Sequence, residues 1–253
     1  MAKSEWAASI LEDEYRLGPS LGDSAWFEVH AATRSVTGEK AVVKRYFDHL
    51  LDDRRFVGSV LATRRKLAEV DHPGLVGVLD IGWDGQELWS AEEFVGGRSL
   101  SAWLSEGWVT PLLGLRITHR LLTLLNVVHR LGIVHGALHP GTVRMSGQTE
   151  PRLGDFGLPT ADPELVGPRS TGSLAFYQAY CAPEVLSGAG AVPESDLYSA
   201  GLILGSCLDT RNEVCAGAAE IVRVATRERG YTSSAAMADA VTDVLRAATP
   251  RER

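Results

Sequence analysis

Residues 133–145 read IVHGALHPGTVRM, two histidines four positions apart in a turn of small residues and a proline, with no carboxylate among them. His139 is the candidate for a proton acceptor in this loop. One histidine on a loop is more often a surface residue or a structural donor than a base. Asp155, in LGDFGL, is the acidic residue downstream with a chemical look, either as a metal ligand or as the former of a turn. Lys44 in AVVK and Glu92 in ELWSAEEFVGG add a cation and a carboxylate within strand-like runs. Cys181, Cys207 and Cys215 are odd in number and scattered, without CxxC or His/Cys spacing, so they read as buried thiols and no cysteine-bound metal is expected.

The elements that must position these residues are legible from hydrophobic period. The N-terminal third alternates short β-type runs with turn signals, and the remainder follows helical patterning, which implies two lobes. EKAVVKRYF, GLVGVLDIGW and ELWSAEEFV read as strands, and RRFVGSVLATRRKLAEV as an amphipathic helix closed by DHPG. From Leu112 to Leu131 apolar residues recur at helical spacing with little charge between them, predicting a mostly buried helix that leads into the histidine loop.

The 253 residues, with a 45% hydrophobic fraction, are enough to bury a substantial core. A formal charge of -7 and the absence of a basic stripe interleaved with aromatics argue against nucleic acid as a partner. The locally basic RRFVGSVLATRRK reads as a solvated helix face. No run is long and apolar enough for a transmembrane helix, the start MAKSEWAASILEDEY has an acidic flank unlike a signal peptide, and a cytoplasmic protein is expected.

Seven motifs in order, LGDSAWFEV, AVVK, DHPGLV, IVHGALHPGTV, LGDFGL, CAPEVL and SDLYSAGLIL, resemble those of the eukaryotic-type protein kinases, in particular their compact bacterial Ser/Thr members. The resemblance covers roughly residues 15 to 245. It implies an α+β, protein-kinase-like fold in one domain: a small antiparallel β N-lobe with one helix over 13–95 and a larger helical C-lobe over 96–247. The joint falls at about Glu93 to Gly97. Only GSCLDTRNEVCAG separates the SDLYSAGLIL helix from the last helical stretch, so a trimmed C-lobe is expected.

The resemblance also implies what each position should do, because phosphoryl transfer depends on positioning and charge neutralisation. Of the three glycines that let backbone approach phosphates, Gly22 is kept, Ser24 and Phe27 stand at the others, and Val29 follows; a loop that obstructs its own binding face is expected. Lys44 stands where the family contacts the α/β-phosphates. Its helix partner, a Glu in the family, falls on Thr63. Glu92 occupies the gatekeeper position and is expected to pair with Lys44, since an unpaired buried carboxylate would be heavily disfavoured. In the catalytic loop, His135 is kept, Gly136 and Ala137 replace Arg-Asp, and Thr142 replaces the metal-binding Asn. Asp155, Phe156 and Gly157 keep the metal-site motif, Glu184 keeps the APE acid, and Asp196 keeps the buried Asp that holds the loop backbone. Arg227 or Arg229 is expected to pair with Glu184.

These departures lead to the expectation of a non-enzyme. The expected protein is a degenerate pseudokinase acting as scaffold or allosteric domain for protein partners. It would require no cofactor, bind ATP weakly or not at all, and hold a metal doubtfully through Asp155. Phosphorylation between Gly157 and Cys181, at Thr160, Ser170, Thr171 or Ser173, is expected not to switch it on. Two alternatives stand beside it: an ATP-binding Ser/Thr kinase or nucleotidyl transferase with residual or non-standard activity, and an ATP sensor without turnover.

Overall fold

The computed structural model describes residues 10–147, 150–158, 171–208 and 214–248. The chain divides into two compact units, one holding the residues up to Asp71 and Val76–Phe94, the other His72–Leu75, Val95–Thr160 and the chain from Phe176 onward.

The first unit opens with α1 (Ile10–Glu14) and a five-stranded antiparallel sheet of β1 (Tyr15–Asp23), β2 (Phe27–Arg34), β3 (Lys40–Tyr46), β4 (Val78–Asp84) and β5 (Glu87–Glu93), in the order β1-β2-β3-β5-β4. Between β3 and β4 run α2 (Asp48–Leu51) and α3 (Arg54–Leu67). Asp53 caps α3 by accepting from the Arg55 amide at 2.8 Å. Strand β5 is central and buried on both faces from Leu88 to Glu92, so a charge on it has no route to water. Tyr15, Val43, Trp89 and Ala91 form the core beneath.

The second unit begins with a small sheet of β6 (Arg98–Ser99), β7 (Val143–Met145) and β8 (Pro151–Leu153), and with α4 (Leu100–Ser105) and α5 (Pro111–Arg130). The chain goes on through α6 (Thr171–Gln178), α7 (Pro183–Leu186), α8 (Pro193–Ser206), α9 (Val214–Ala225) and α10 (Ser234–Ala248). Thr110 caps α5 and Pro111 supplies its first turn, where a missing amide costs nothing. The helix then buries Leu115, Ile117, Leu121, Leu122, Leu125 and Val128, the recurrence its sequence predicts. Among the described residues, α9 and α10 alone follow α8, the trimmed C-terminal unit expected. Thr160 and Ser170 and the side chains of Thr171 and Ser173 lie outside the described residues. Among the described residues, no helix is long and apolar enough to cross a membrane, and all three cysteines are buried thiols outside any disulfide.

Close helix approach in the second unit depends on missing side chains. A Cβ at Gly114 on α5 would lie 2.3 Å from the Cβ of Cys207, and one at Gly201 on α8 would lie 2.5 Å from that of Ala225. In an open helix position Gly→Ala gains about 1 kcal/mol from propensity, whereas overpacking a core costs about 1–3 kcal/mol. The two effects separate in this chain. Gly58 on α3 has nothing within 4 Å of the added carbon, so Gly58→Ala should raise the urea midpoint while Gly114→Ala lowers it; the same sign for both would contradict this packing.

Candidate functional site

Each unit carries its own cluster of the residues singled out by sequence. In the first unit Val29 on β2 lies opposite Lys44 on β3, and Gly22 on β1 opposite Val29. The turn between β1 and β2 is closed by Ser24, whose hydroxyl accepts from the amides of Trp26 and Phe27 at 3.1 and 3.2 Å. Gly22 takes a φ of 126° that few side chains tolerate. Phe27 is buried, edge-on to Tyr46, with the Lys44 ammonium 5.2 Å from its ring centre. It is a core residue of this unit, which explains why a glycine does not stand there.

Lys44 and Glu92 are both buried and form an ion pair. They sit diagonally on adjacent strands, Lys44 opposite Ser90 and Glu92 opposite Val42, within reach of two long side chains on one sheet face. The second oxygen of Glu92 takes the guanidinium of Arg64, which is 1% exposed and projects from α3. Sequence reasoning places the helix residue facing Lys44 at Thr63. The structure corrects it by one position and reverses its charge: Arg64 comes from the helix, and the carboxylate comes from the strand. The signal available was a single arginine at a core-facing helical position, three residues before buried Leu67.

In the second unit the histidine loop is held by one carboxylate. Asp196 accepts from the amides of His135 at 2.8 Å and Gly136 at 2.9 Å, and its Oδ2 lies 2.8 Å from Nε2 of His129. Gly136 has a φ of 75°, and a Cβ there would come 3.3 Å from that of Ala191. This loop conformation therefore selects glycine. His135 is fully buried and its ring lies 4.4 Å from that of Phe156; burial lowers its pKa, so it stays neutral. Its carbonyl accepts from the Gly157 amide at 3.0 Å, joining the loop to the Asp155-Phe156-Gly157 segment.

His139 is also neutral, its pKa pushed down to about 4 by burial against the opposing charge of Asp155. Its Nδ1 accepts from the Gly141 amide at 3.0 Å, which places the proton of the neutral ring on Nε2 and makes that nitrogen a donor rather than a base. Thr142 donates from its hydroxyl to the His139 carbonyl at 2.8 Å, so it closes the loop. Ala137 is buried. Asp155 is the one described non-glycine residue with a positive φ, 61°. Glu184 is bonded by Ser195, whose hydroxyl donates to it at 2.5 Å and accepts from Val192. The expected arginine pairing is corrected here, because Arg227 directs its Nε to the Arg229 carbonyl.

A five-stranded antiparallel unit carrying a buried Lys44, and a helical unit carrying a bonded loop next to an Asp-Phe-Gly turn, define a protein-kinase-like architecture. A family model of the protein kinase domain matches residues 15–243, and the chain belongs to that family. It is 32% identical over 208 residues to the DNA damage-responsive serine/threonine-protein kinase RqkA of Deinococcus radiodurans, covering 78% of this chain and 30% of the relative. It is 29% identical over 224 residues to the serine/threonine-protein kinase PknJ of Mycobacterium tuberculosis, covering 87% and 38%. The chain thus spans about a third of the length of these relatives. In fold it matches the kinase domain of Mycobacterium tuberculosis PknI with a TM-score of 0.74 and 20% identity, over 96% of this chain and 100% of that one.

These findings overturn the expectation of a non-enzyme. The relatives are serine/threonine-protein kinases by name, and the expectation had rested on equating the departures at the glycine loop, Thr63, Ala137 and Thr142 with missing catalysis. In a phosphoryl transfer dominated by positioning and electrostatics, that equation does not hold.

The shared carboxylate yields a stability test. Removing one member of a buried ionic group costs about 3–5 kcal/mol, whereas replacing the whole group with apolar residues is often close to neutral. Glu92→Leu should destabilise by that amount in chemical denaturation, and the triple variant Lys44→Met, Arg64→Met, Glu92→Leu by much less. A triple variant as unstable as the single one would contradict a shared buried group.

Proposed function

We propose that this domain is an ATP-binding serine/threonine protein kinase that works without a carboxylate base in its catalytic loop. The observation that carries the reading is Asp155, held at a φ of 61° inside the Asp-Phe-Gly turn. A non-glycine residue in that region costs about 1–3 kcal/mol and persists where its surroundings enforce it, commonly at functional sites. A turn alone would be met more cheaply by glycine. The family membership and the Ser/Thr kinases among its relatives support the acceptor class.

In this reading Lys44, oriented by Glu92, neutralises nucleotide phosphate. Loop residues Ala137 to Thr142 shape the acceptor side and supply no base. The transferring phosphoryl group carries spread negative charge, and the acceptor hydroxyl surrenders its proton to a phosphate oxygen or water. Forgoing a positioned base lowers the rate by about 10² to 10⁴. Kinases take ATP with a divalent ion, and Asp155 is a carboxylate fit to meet an ion already held by phosphates. Thr142 is a poor ligand for a second one, since its buried hydroxyl both donates to the His139 carbonyl and accepts from the His139 amide. No group of three metal-ligating side chains occurs among the described residues. The metal would supply charge neutralisation at the phosphates.

Purified chain with γ-³²P-ATP should label itself or a generic Ser/Thr substrate slowly, with the signal abolished by Lys44→Ala and by Asp155→Ala. Ala137→Asp should raise the rate at least tenfold. Binding without transfer, or transfer of the nucleotidyl part from α-³²P-ATP, would replace the proposed activity with a sensor or a nucleotidyl transferase. Calorimetry with Mg²⁺ and then with EDTA should show less than a tenfold change in ATP affinity, as expected from a single carboxylate ligand.

A further inference from the structure

The second unit has a cavity of about 790 Å³ between the exposed face of α5, the β7–β8 hairpin and the residues that precede β4. Its walls are cationic. Arg116 and Arg120 stand one turn apart on α5, with His119 between them, and Arg152 faces them from β8. Among the described residues, Glu150 is the one carboxylate on the lining. Arg116 and Arg120 are exposed and have no ion-pair partner among the described residues. Helix α5 has no acidic residue in its 20 positions, although the whole chain carries a formal charge of -7.

The groove is also preformed. Arg152 donates to the Leu75 carbonyl at 2.5 Å, which fixes one guanidinium. A Cβ on Gly74 would lie 2.3 Å from a methyl of Leu124, so the loop rests directly on α5. Leu124 and Leu245 give the floor apolar ground.

We propose that this groove docks an acidic, extended segment of a protein partner. Guanidinium groups match carboxylates in geometry as well as charge. Arg116 and Arg120 against one glutamate leave a local positive field in an otherwise acidic domain. The cavity exceeds what a single small anion fills, and its apolar floor suits one aliphatic side chain of a peptide. A bilayer presents no projection to enter a concavity. A long polyanion such as nucleic acid meets the repulsion of a chain with a formal charge of -7, whereas a short acidic segment reaches only the groove.

The test is fluorescence anisotropy on the intact chain with a short fluorescein-labelled peptide of glutamates flanking a single leucine. It should bind, weaken as ionic strength rises, and lose at least tenfold in affinity in Arg116→Glu, Arg120→Glu. Arg130→Glu, on the last turn of the same helix and outside the groove, should bind like the unaltered chain. If the charge-reversed pair fails to fold, Arg116→Ala, Arg120→Ala serves with the same expected direction. Equal binding of a lysine-for-glutamate peptide, unchanged affinity in the groove variants, or preference for a DNA oligonucleotide of equal charge would overturn the proposal.

Discussion

The loop that defines this domain hangs on one buried carboxylate. Asp196, 1% exposed, bonds two consecutive loop amides and a ring nitrogen of His129. His129 in turn meets the Ser234 hydroxyl through Nδ1 at 3.0 Å. One side chain on α8 thereby ties together the end of α5, the loop after it and the start of α10. A buried carboxylate is tolerated only when donors surround it, and here those donors are the groups whose positions the loop requires. Without it, two backbone amides in the interior would lack an acceptor.

Glu92 applies the same logic in the other unit, with side chains instead of backbone. It is buried in a central strand, and its two oxygens take Lys44 from the neighbouring strand and Arg64 from α3. Ionic groups of this kind contribute little net stability against apolar replacements. What the arrangement does is fix where a cation sits. Lys44 keeps its place on β3 although the carboxylate has moved from the helix of the family pattern to a strand, and the helix has answered with an arginine. The carboxylate that holds the lysine comes from a different element than in the family pattern, and it is shared with a second cation.

That exchange marks the boundary of what was legible. Periodicity placed β3, α3, β5 and α5, because alternation and helical recurrence are averaged over many residues and survive a local misreading. The Lys44 and Glu92 pair was legible too, since a carboxylate in an apolar strand demands a partner and the adjacent strand offered one. Arg64 was not. A helix turns 100° per residue, so an error of one position sends attention to a different face, and a basic RRK run reads as solvated until the fold shows one member buried. Ser195 was hidden for another reason: its contact with Glu184 spans a turn between α7 and α8 whose geometry no pattern encodes.

The mistaken expectation of inactivity shows where motif reading and energetics part. Each tenfold in rate is about 1.36 kcal/mol, so a general base worth about 10² to 10⁴ contributes roughly 3 to 5 kcal/mol. Enzymes lower barriers by about 8–23 kcal/mol in all. Most of that reduction must come from elsewhere, and in phosphoryl transfer it comes from holding the phosphates, the acceptor and compensating charge in register. Ala137 removes the smaller part. In the proposed kinase the larger part falls to positions such as Lys44 and Asp155, one held by a buried carboxylate and the other in a left-handed backbone. A vacant base position therefore bounds how fast such a domain can run, and it carries no information about whether the positioning survives.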